Sequence, residues 1–290
     1  MAKVYVAGEA LIDLVNVGGS STAHVGGGPA NTAKALARLG LSSYFVGGIS
    51  SDEYGALIEA ELLESGVDLS LALRGSKPTA LANALIDEGG VASYSFDLER
   101  TTTFDFSSSW LPNGADFVHV GSVATLIQPG ATELFNWVSG LGVPVVFDPN
   151  VRPSIQSDRE LYRAAVEKWV SVSTVVKLSE DDLDWLYGDE SVVKDWLASG
   201  VAVVVVTRAD KGLTGYFGDS VIEVPAVPID LVDSIGAGDT IGAVIVEGLV
   251  KHGVSGLMSN LDLVLARAAK AASITCSRAG ANPPWASELD

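Results

Sequence analysis

Residues 173–207 read STVVKLSEDDLDWLYGDESVVKDWLASGVAVVVVT. The runs at the two ends, "STVVKLS" at 173–179 and "VAVVVVT" at 201–207, are nearly continuous apolar segments. That pattern suits strands buried on both faces of a parallel sheet. Between them "EDDLDWLYG" reads as a helix, and Ser179 followed three residues later by Asp182 is close to a capping box for it. The segment is therefore strand, helix, strand.

Working outward, the same kind of run recurs at 3–8 ("KVYVAG"), 116–122 ("DFVHVGS") and 143–148 ("VPVVFD"). Helical stretches with boundary signals separate them. Asp52 can cap "EYGALIEAELLES" with Gly66 ending it, and Pro129-Gly130 precede "ATELFNWVSGL". This β-α-β-α order predicts a doubly wound α/β layer fold with a mostly parallel sheet. One segment departs from the rhythm. Residues 79–87 ("TALANALID") and 91–98 ("VASYSFDL"), joined by Glu88-Gly89-Gly90, read as a β-hairpin that would serve as a lid or a dimerisation arm. No repeat or long linker marks a second domain.

Composition narrows the function classes. The chain has 290 residues, 48% hydrophobic, with 18 Lys+Arg against 36 Asp+Glu and a net charge of -18. Such a balance argues against nucleic acid or an anionic membrane as the general partner, so any bound anion needs a local device. The single cysteine, Cys276, excludes an internal disulfide, fits a reducing cytoplasm and reads as helix packing. Neither a leader pattern nor an uncharged apolar stretch of the ~18 residues needed to span a membrane is visible. His24, His119 and His252 are scattered without metal-ligand spacing and are expected to be structural or exposed.

Two glycine-rich turns open helices. In "VGGGPANTAKALARLG", Gly26, Gly27 and Gly28 permit close backbone approach, Pro29 pre-sets a helix start and Asn31 offers a donor and an acceptor. A tight turn capped by Asn accounts for this motif equally well. In "DSIGAGD" (233–239), Gly236, Ala237 and Gly238 expose backbone N–H groups at a helix start, where a phosphate would bind. Neither turn is a Walker loop, and the glycine fingerprint that a nicotinamide enzyme would carry after its first strand is missing. Asp239 would repel a phosphate that was merely bound. Its place makes sense if loop N–H groups stabilise charge on a transferring phosphoryl group while Asp239 takes the proton of the attacking hydroxyl.

"GGGPANTAKALARLG" and "DSIGAGDTIGAVIVEGL" resemble the two signatures of the ribokinase-like (PfkB) sugar kinase family. The resemblance extends to "GEALIDLV" (8–15), "FDPNVRP" (147–153), "VVKLSEDDL" (175–183) and "SRAGANPPW" (277–285), nearly the whole chain. It implies one domain over 1–290: a three-layer α/β/α core with a small β lid from about 14–25 and 79–105. The implied reaction is transfer from ATP, with Mg2+, to a sugar or nucleoside hydroxyl.

Matched residue by residue, Asp239 corresponds to the catalytic base, and Gly236, Ala237 and Gly238 to the anion hole. Asp13, Gly26, Gly27 and Asn31 correspond to acceptor-binding positions, and Asp233 to a residue near a potassium site in some members. Arg152 fits either a cation near phosphate or sugar, or a structural salt bridge. Lys177 is implied to lie near the nucleotide phosphates, though a strand-end Lys can simply be solvated. Ser179 and Asp182 stand where the family usually has Asn-x-x-Glu, which ties them to magnesium or phosphate positioning, with the capping box as the other explanation. Thr207 and Gly212 bound "TRADKG" before the nucleotide pocket, and Ala209, replacing a common Gly, implies a slightly different backbone.

The motifs are closest to the fructokinase branch, so fructose, giving fructose 6-phosphate, is the first choice of acceptor. A 2-keto-3-deoxygluconate-type acid is the runner-up, with Arg100 as the extra cation. A non-catalytic sugar sensor is the alternative from another class. The exposed lid edge suggests a homodimer.

Overall fold

A computed structural model describes residues 1–17, 20–86 and 92–290. The proposed turn at Glu88-Gly89-Gly90 lies outside those residues. The first half of the chain contains β1 (Lys3–Ala7), β2 (Leu11–Val17), β3 (Ser20–Gly26), α1 (Gly28–Arg38), β4 (Ser42–Val46), β5 (Gly48–Ser50), α2 (Glu53–Glu64), β6 (Leu73–Gly75), β7 (Leu81–Ile86) and β8 (Ala92–Asp97). Then come β9 (Phe117–Gly121), α3 (Gly130–Leu141), β10 (Val145–Asp148), α4 (Arg159–Val170), β11 (Val175–Ser179), α5 (Glu180–Tyr187), α6 (Val192–Ser199) and β12 (Val203–Thr207). The chain closes with β13 (Leu213–Phe217), β14 (Ser220–Val224), α7 (Ala237–Ser259) and α8 (Leu261–Cys276).

The main sheet has eight strands in the order β14-β13-β12-β11-β10-β9-β1-β4. It is parallel from β4 to β12, and only β13 runs against the others, pairing antiparallel with β12 and with β14. Its valine runs are continuous because both faces are covered. Along β12, Val203 and Val205 join the core that includes Leu36 of α1, Val244 of α7 and Leu265 of α8. Val204 and Val206 join the opposite core, with Leu134 of α3, Val166 of α4 and Leu183 of α5. The three layers follow from this two-sided burial.

The same period of two decides where polar side chains enter the interior. On β11, Val175 and Lys177 share the face toward α7, while Val176 and Leu178 face the other way. On β10, Val146 and Asp148 share that α7 face. On β9 the matching position is His119, paired in register with Val146. Three polar residues thus occupy strand positions beneath the N-terminal half of α7.

The helix ends agree with their chemistry. Asp52 caps α2 by accepting from Gly55 N at 2.7 Å, and Gly66 follows in the left-handed region. α7 starts at Gly236, whose φ of 79° a side chain would strain. By length and composition it is the one described helix apolar enough to cross a membrane, yet more than half of its most apolar window is buried in this core. It also breaks at Gly253, with φ 67° and ψ 178°.

A second sheet, β3-β2-β7-β8, stands beside the main one. Two antiparallel hairpins, β2-β3 and β7-β8, join through a parallel β2-β7 contact. The chain leaves it at Asp97, and Leu98, Thr101, Thr102, Thr103 and Phe104 return to buried positions at the edge of the core.

Candidate active site

A cavity of about 850 Å³ opens between the small sheet, the C-terminal ends of the main strands and the start of α7. Ligands of open α/β sheets bind at this end of the strands.

Asp239 lies in the first turn of α7 and is only 8% exposed. Its Oδ2 accepts a hydrogen bond from Asn31 Nδ2 at 2.9 Å. Its Oδ1 turns to the backbone of Gly28, where an added Cβ would lie 3.2 Å from Oδ1 and 2.9 Å from Asn150 Nδ2. Burial, reinforced by the Asp148 carboxylate, pushes Asp239 up to about 6, against Lys177, Asn31 and Arg152, which favour the ionised form. A carboxylate in that range can both take and hold a proton near neutrality.

Lys177 Nζ donates to Asp148 Oδ2 at 2.8 Å, and both side chains are almost wholly buried. Burial works against the ammonium charge, but Asp148, by attraction and by hydrogen bond, outweighs it and holds Lys177 above its ordinary value. A Cβ on Gly238 would sit 2.9 Å from Lys177 Nζ, so glycine there lets the cation touch the loop backbone. Among the described residues the N–H groups of Gly236, Gly238 and Asp239 have no acceptor, whereas Ala237 N donates to Ser234 O at 3.3 Å. The open donors of the turn are therefore those three. Ala237, included in the anion hole by sequence, is already committed.

On the opposite side, Asp13 on β2 packs its carboxylate against Gly26, where any Cβ would overlap Asp13 Oδ2. Burial raises Asp13, opposed by the charges of Arg152 and His24. Arg152 lines the cavity, and its Nη1 donates to the carbonyls of Asn150 and Val151 at 3.2 and 3.0 Å. Among the described residues no carboxylate is within ion-pair distance of it, so the structural salt bridge that the sequence allowed is not formed.

Open N–H groups in a helix-start turn beside a buried acid, on a cavity with polar groups at its other side, suit a phosphotransfer site. The match to known proteins decides which kind: the model of the pfkB family carbohydrate kinases covers residues 1–288. The chain belongs to the pfkB family of carbohydrate kinases. It is 33% identical over 255 residues to a fructokinase of Rhizobium leguminosarum bv. trifolii, covering 83% of this chain and 78% of the relative. It is 30% identical to a Salmonella typhimurium fructokinase, covering 100% of this chain and 98% of the relative. Among solved structures, fructokinase from Xylella fastidiosa with bound ATP aligns with a TM-score of 0.90 at 28% identity, over 99% of this chain and 96% of that one. A fructokinase double mutant from Vibrio cholerae O395 with fructose, ADP and potassium ion bound aligns at 0.82 and 27%, over 97% and 94%.

Within this pfkB member the geometry gathers Asp13, Gly27, Asn31, Arg152, Lys177, Asp233, Gly236, Gly238 and Asp239 around one cavity. Ser179, Asp182, Thr207 and Gly212 do not line it. Ser179 and Asp182 form the capping box of α5, and Asp182 Oδ1 also accepts from Val151 N at 2.9 Å. Thr207 ends β12, and Gly212, with φ 107°, turns the chain into β13. Asp233 accepts from Ile235 N and Gly280 N, tying the glycine loop to the segment after α8. Arg100 is exposed and does not face the cavity.

Sequence reasoning missed Glu9, Ser122 and His24, all of which line the cavity. Glu9 is 1% exposed and accepts from Ala124 N at 2.9 Å. A carboxylate two residues past the end of a buried strand was the available signal. Ser122 and Asn150 hold φ of 58° and 41°, a strained backbone that no sequence pattern announced. His119 is buried beneath α7: burial lowers it to about 4, and neither ring nitrogen has a partner among the described residues.

Proposed function

We propose that this protein is an ATP-dependent fructokinase that converts fructose to fructose 6-phosphate. The observation that carries the reading is the convergence over Gly28 of Asp239 Oδ1, with open loop N–H groups and Lys177 on one side and Asp13 and Arg152 on the other. The fructokinase relatives, one solved with ATP and another with fructose and ADP, support it.

Bound ATP with Mg2+ supplies the phosphoryl group and neutralises part of its charge. The chain does the rest. Asp13, Asn31 and Arg152 hold the acceptor so that its primary hydroxyl reaches Asp239 Oδ1. As the new O–P bond forms and the bond to ADP breaks, Asp239 takes the hydroxyl proton. Lys177 and the N–H groups of Gly236, Gly238 and Asp239 spread the developing charge. The nucleotide lies beyond the ends of β11 and β12, beside Thr207 and Gly212. Asp182 has both oxygens engaged by backbone N–H groups and sits outside the cavity, so it is no direct Mg2+ ligand; it fixes Val151 next to Arg152. Asp233, held by two N–H groups with lone pairs to spare, suits a monovalent cation beside the loop. The small sheet acts as the lid, and its exposed edge β3 is where a second copy would pair. The reaction belongs in the cytoplasm.

A sugar acid is the second reading, because Arg152 faces the cavity without a carboxylate partner. It has lost Arg100. The test is ADP formation from ATP and Mg2+ with fructose, other hexoses and 2-keto-3-deoxygluconate. Fructose should give the highest kcat/KM; a sugar acid well ahead of fructose would replace the first reading with the second.

A further inference from the structure

The inner face of the small sheet carries a row of side chains that crosses all four strands. His24 on β3 stands opposite Asp13 on β2, Asp13 lies beside Ala82 on β7, and Ala82 stands opposite Phe96 on β8. All four line the cavity. The row is apolar at the β7-β8 end and polar at the β2-β3 end.

Packing does not explain the histidine. Residues Ser20 to His24 of β3 are all exposed, so no core holds the ring in place. Opposed residues in an antiparallel pair have Cβ atoms about 4.5–5.5 Å apart, close enough for imidazole and carboxylate to reach adjacent hydroxyls of one small molecule. His24 also lines the same cavity as Asp13 in the acceptor pocket and Asp233 at the start of the glycine loop. The ring therefore borders the pocket that holds Asp13, on the cavity that also meets the loop leading to Asp239. A neutral imidazole offers one donor and one acceptor, which matches a hydroxyl better than a second carboxylate or a lysine would.

We propose that His24 is a specificity-determining residue that hydrogen-bonds the acceptor hydroxyl next to the one bound by Asp13. The pair reads two neighbouring hydroxyls together, while Ala82 and Phe96 cover the C–H face of the same sugar. An acceptor lacking either hydroxyl, or presenting it with inverted configuration, leaves polar groups of the pocket unpaired and is rejected. This inference rests on the kinase reading above.

The test compares wild type, His24→Ala and His24→Gln by steady-state kinetics with fructose and ATP varied separately, alongside thermal unfolding. His24→Ala should raise the KM for fructose about 10-fold, leave the KM for ATP and the melting temperature unchanged, and alter kcat little. His24→Gln, which keeps a donor and an acceptor, should recover most of the loss. An unchanged fructose KM in His24→Ala would overturn the inference and leave the kinase reading intact. A lowered melting temperature with no rescue by Gln would assign His24 a structural role and also overturn it. A wild type that phosphorylates no sugar or sugar acid would overturn the kinase reading, and His24's role with it.

Discussion

Asn31 Nδ2 donates to Asp239 Oδ2 at 2.9 Å, joining two residues 208 positions apart in the chain. The contact binds the two glycine-rich turns into one site. It also leaves each partner with an oxygen to spare: Asp239 Oδ1 over Gly28, and a buried Asn31 Oδ1 without a partner among the described residues. A buried acceptor of this kind costs free energy until something donates to it, which an acceptor hydroxyl would do.

The pH profile follows from Asp239. The base must be ionised to accept the proton, and its pKa lies at about 6. kcat/KM should be flat above neutrality and fall toward tenfold per unit below about pH 6. Replacing Asn31 by Leu removes a hydrogen bond that favours the carboxylate, so the acid limb should move to higher pH. A limb that stays put, measured from pH 4.5 to 8.5, would contradict the coupling.

Stability should change in the opposite sense. Asp239 has a folded pKa near 6 against an ordinary 3.8, so the folded state holds the extra proton between those values and loses stability as pH rises through that window. Above it the full cost, about 3 kcal/mol, is present. Asp239→Asn should therefore be more stable than wild type at pH 8, with the difference vanishing near pH 4. Denaturant unfolding at the two pH values checks this.

Lys177→Met leaves Asp148 buried and unpaired. The loss should be about 3–5 kcal/mol, the usual cost of breaking a buried pair from one side. Turnover should fall about 10²-fold as the cation touching the loop is removed. Urea unfolding and single-substrate kinetics separate the two effects.

Ala209→Gly should stabilise. Ala209 holds φ 48° in the turn between β12 and β13, the left-handed region that glycine adopts freely. Alanine here holds, under strain, a conformation that glycine adopts without it. Relief of that strain, less the added freedom of the unfolded chain, should give about 0.5 to 1 kcal/mol in thermal unfolding.

The sequence displayed its valine runs openly because parallel strands buried on both faces need no alternation, and five of the eight main-sheet strands could be read that way. β4 and the β13-β14 hairpin were not: "SSYFV" buries Ser43, which only tertiary contacts reveal, and "SVIEV" is an edge strand with no fully buried residue. Asp239 and the glycine loop could be read from the residues themselves, an acid after small residues at a helix start, whereas Asp13 and Asn31 could be read only through the resemblance of their motifs to the family. His24 was not, because its position depends on the β2-β3 register, which sets it against Asp13. Asp148 and Lys177 showed only as polar residues at strand ends; that they pair beneath α7 depends on strands lying side by side.

The most direct test of the central claim is fructose-dependent ADP formation by wild type and Asp239→Asn, with sugar binding measured in parallel by calorimetry. The account predicts that turnover falls at least ~10²-fold while fructose still binds. Near-normal turnover by the folded Asp239→Asn protein would contradict the assignment of Asp239 as the base.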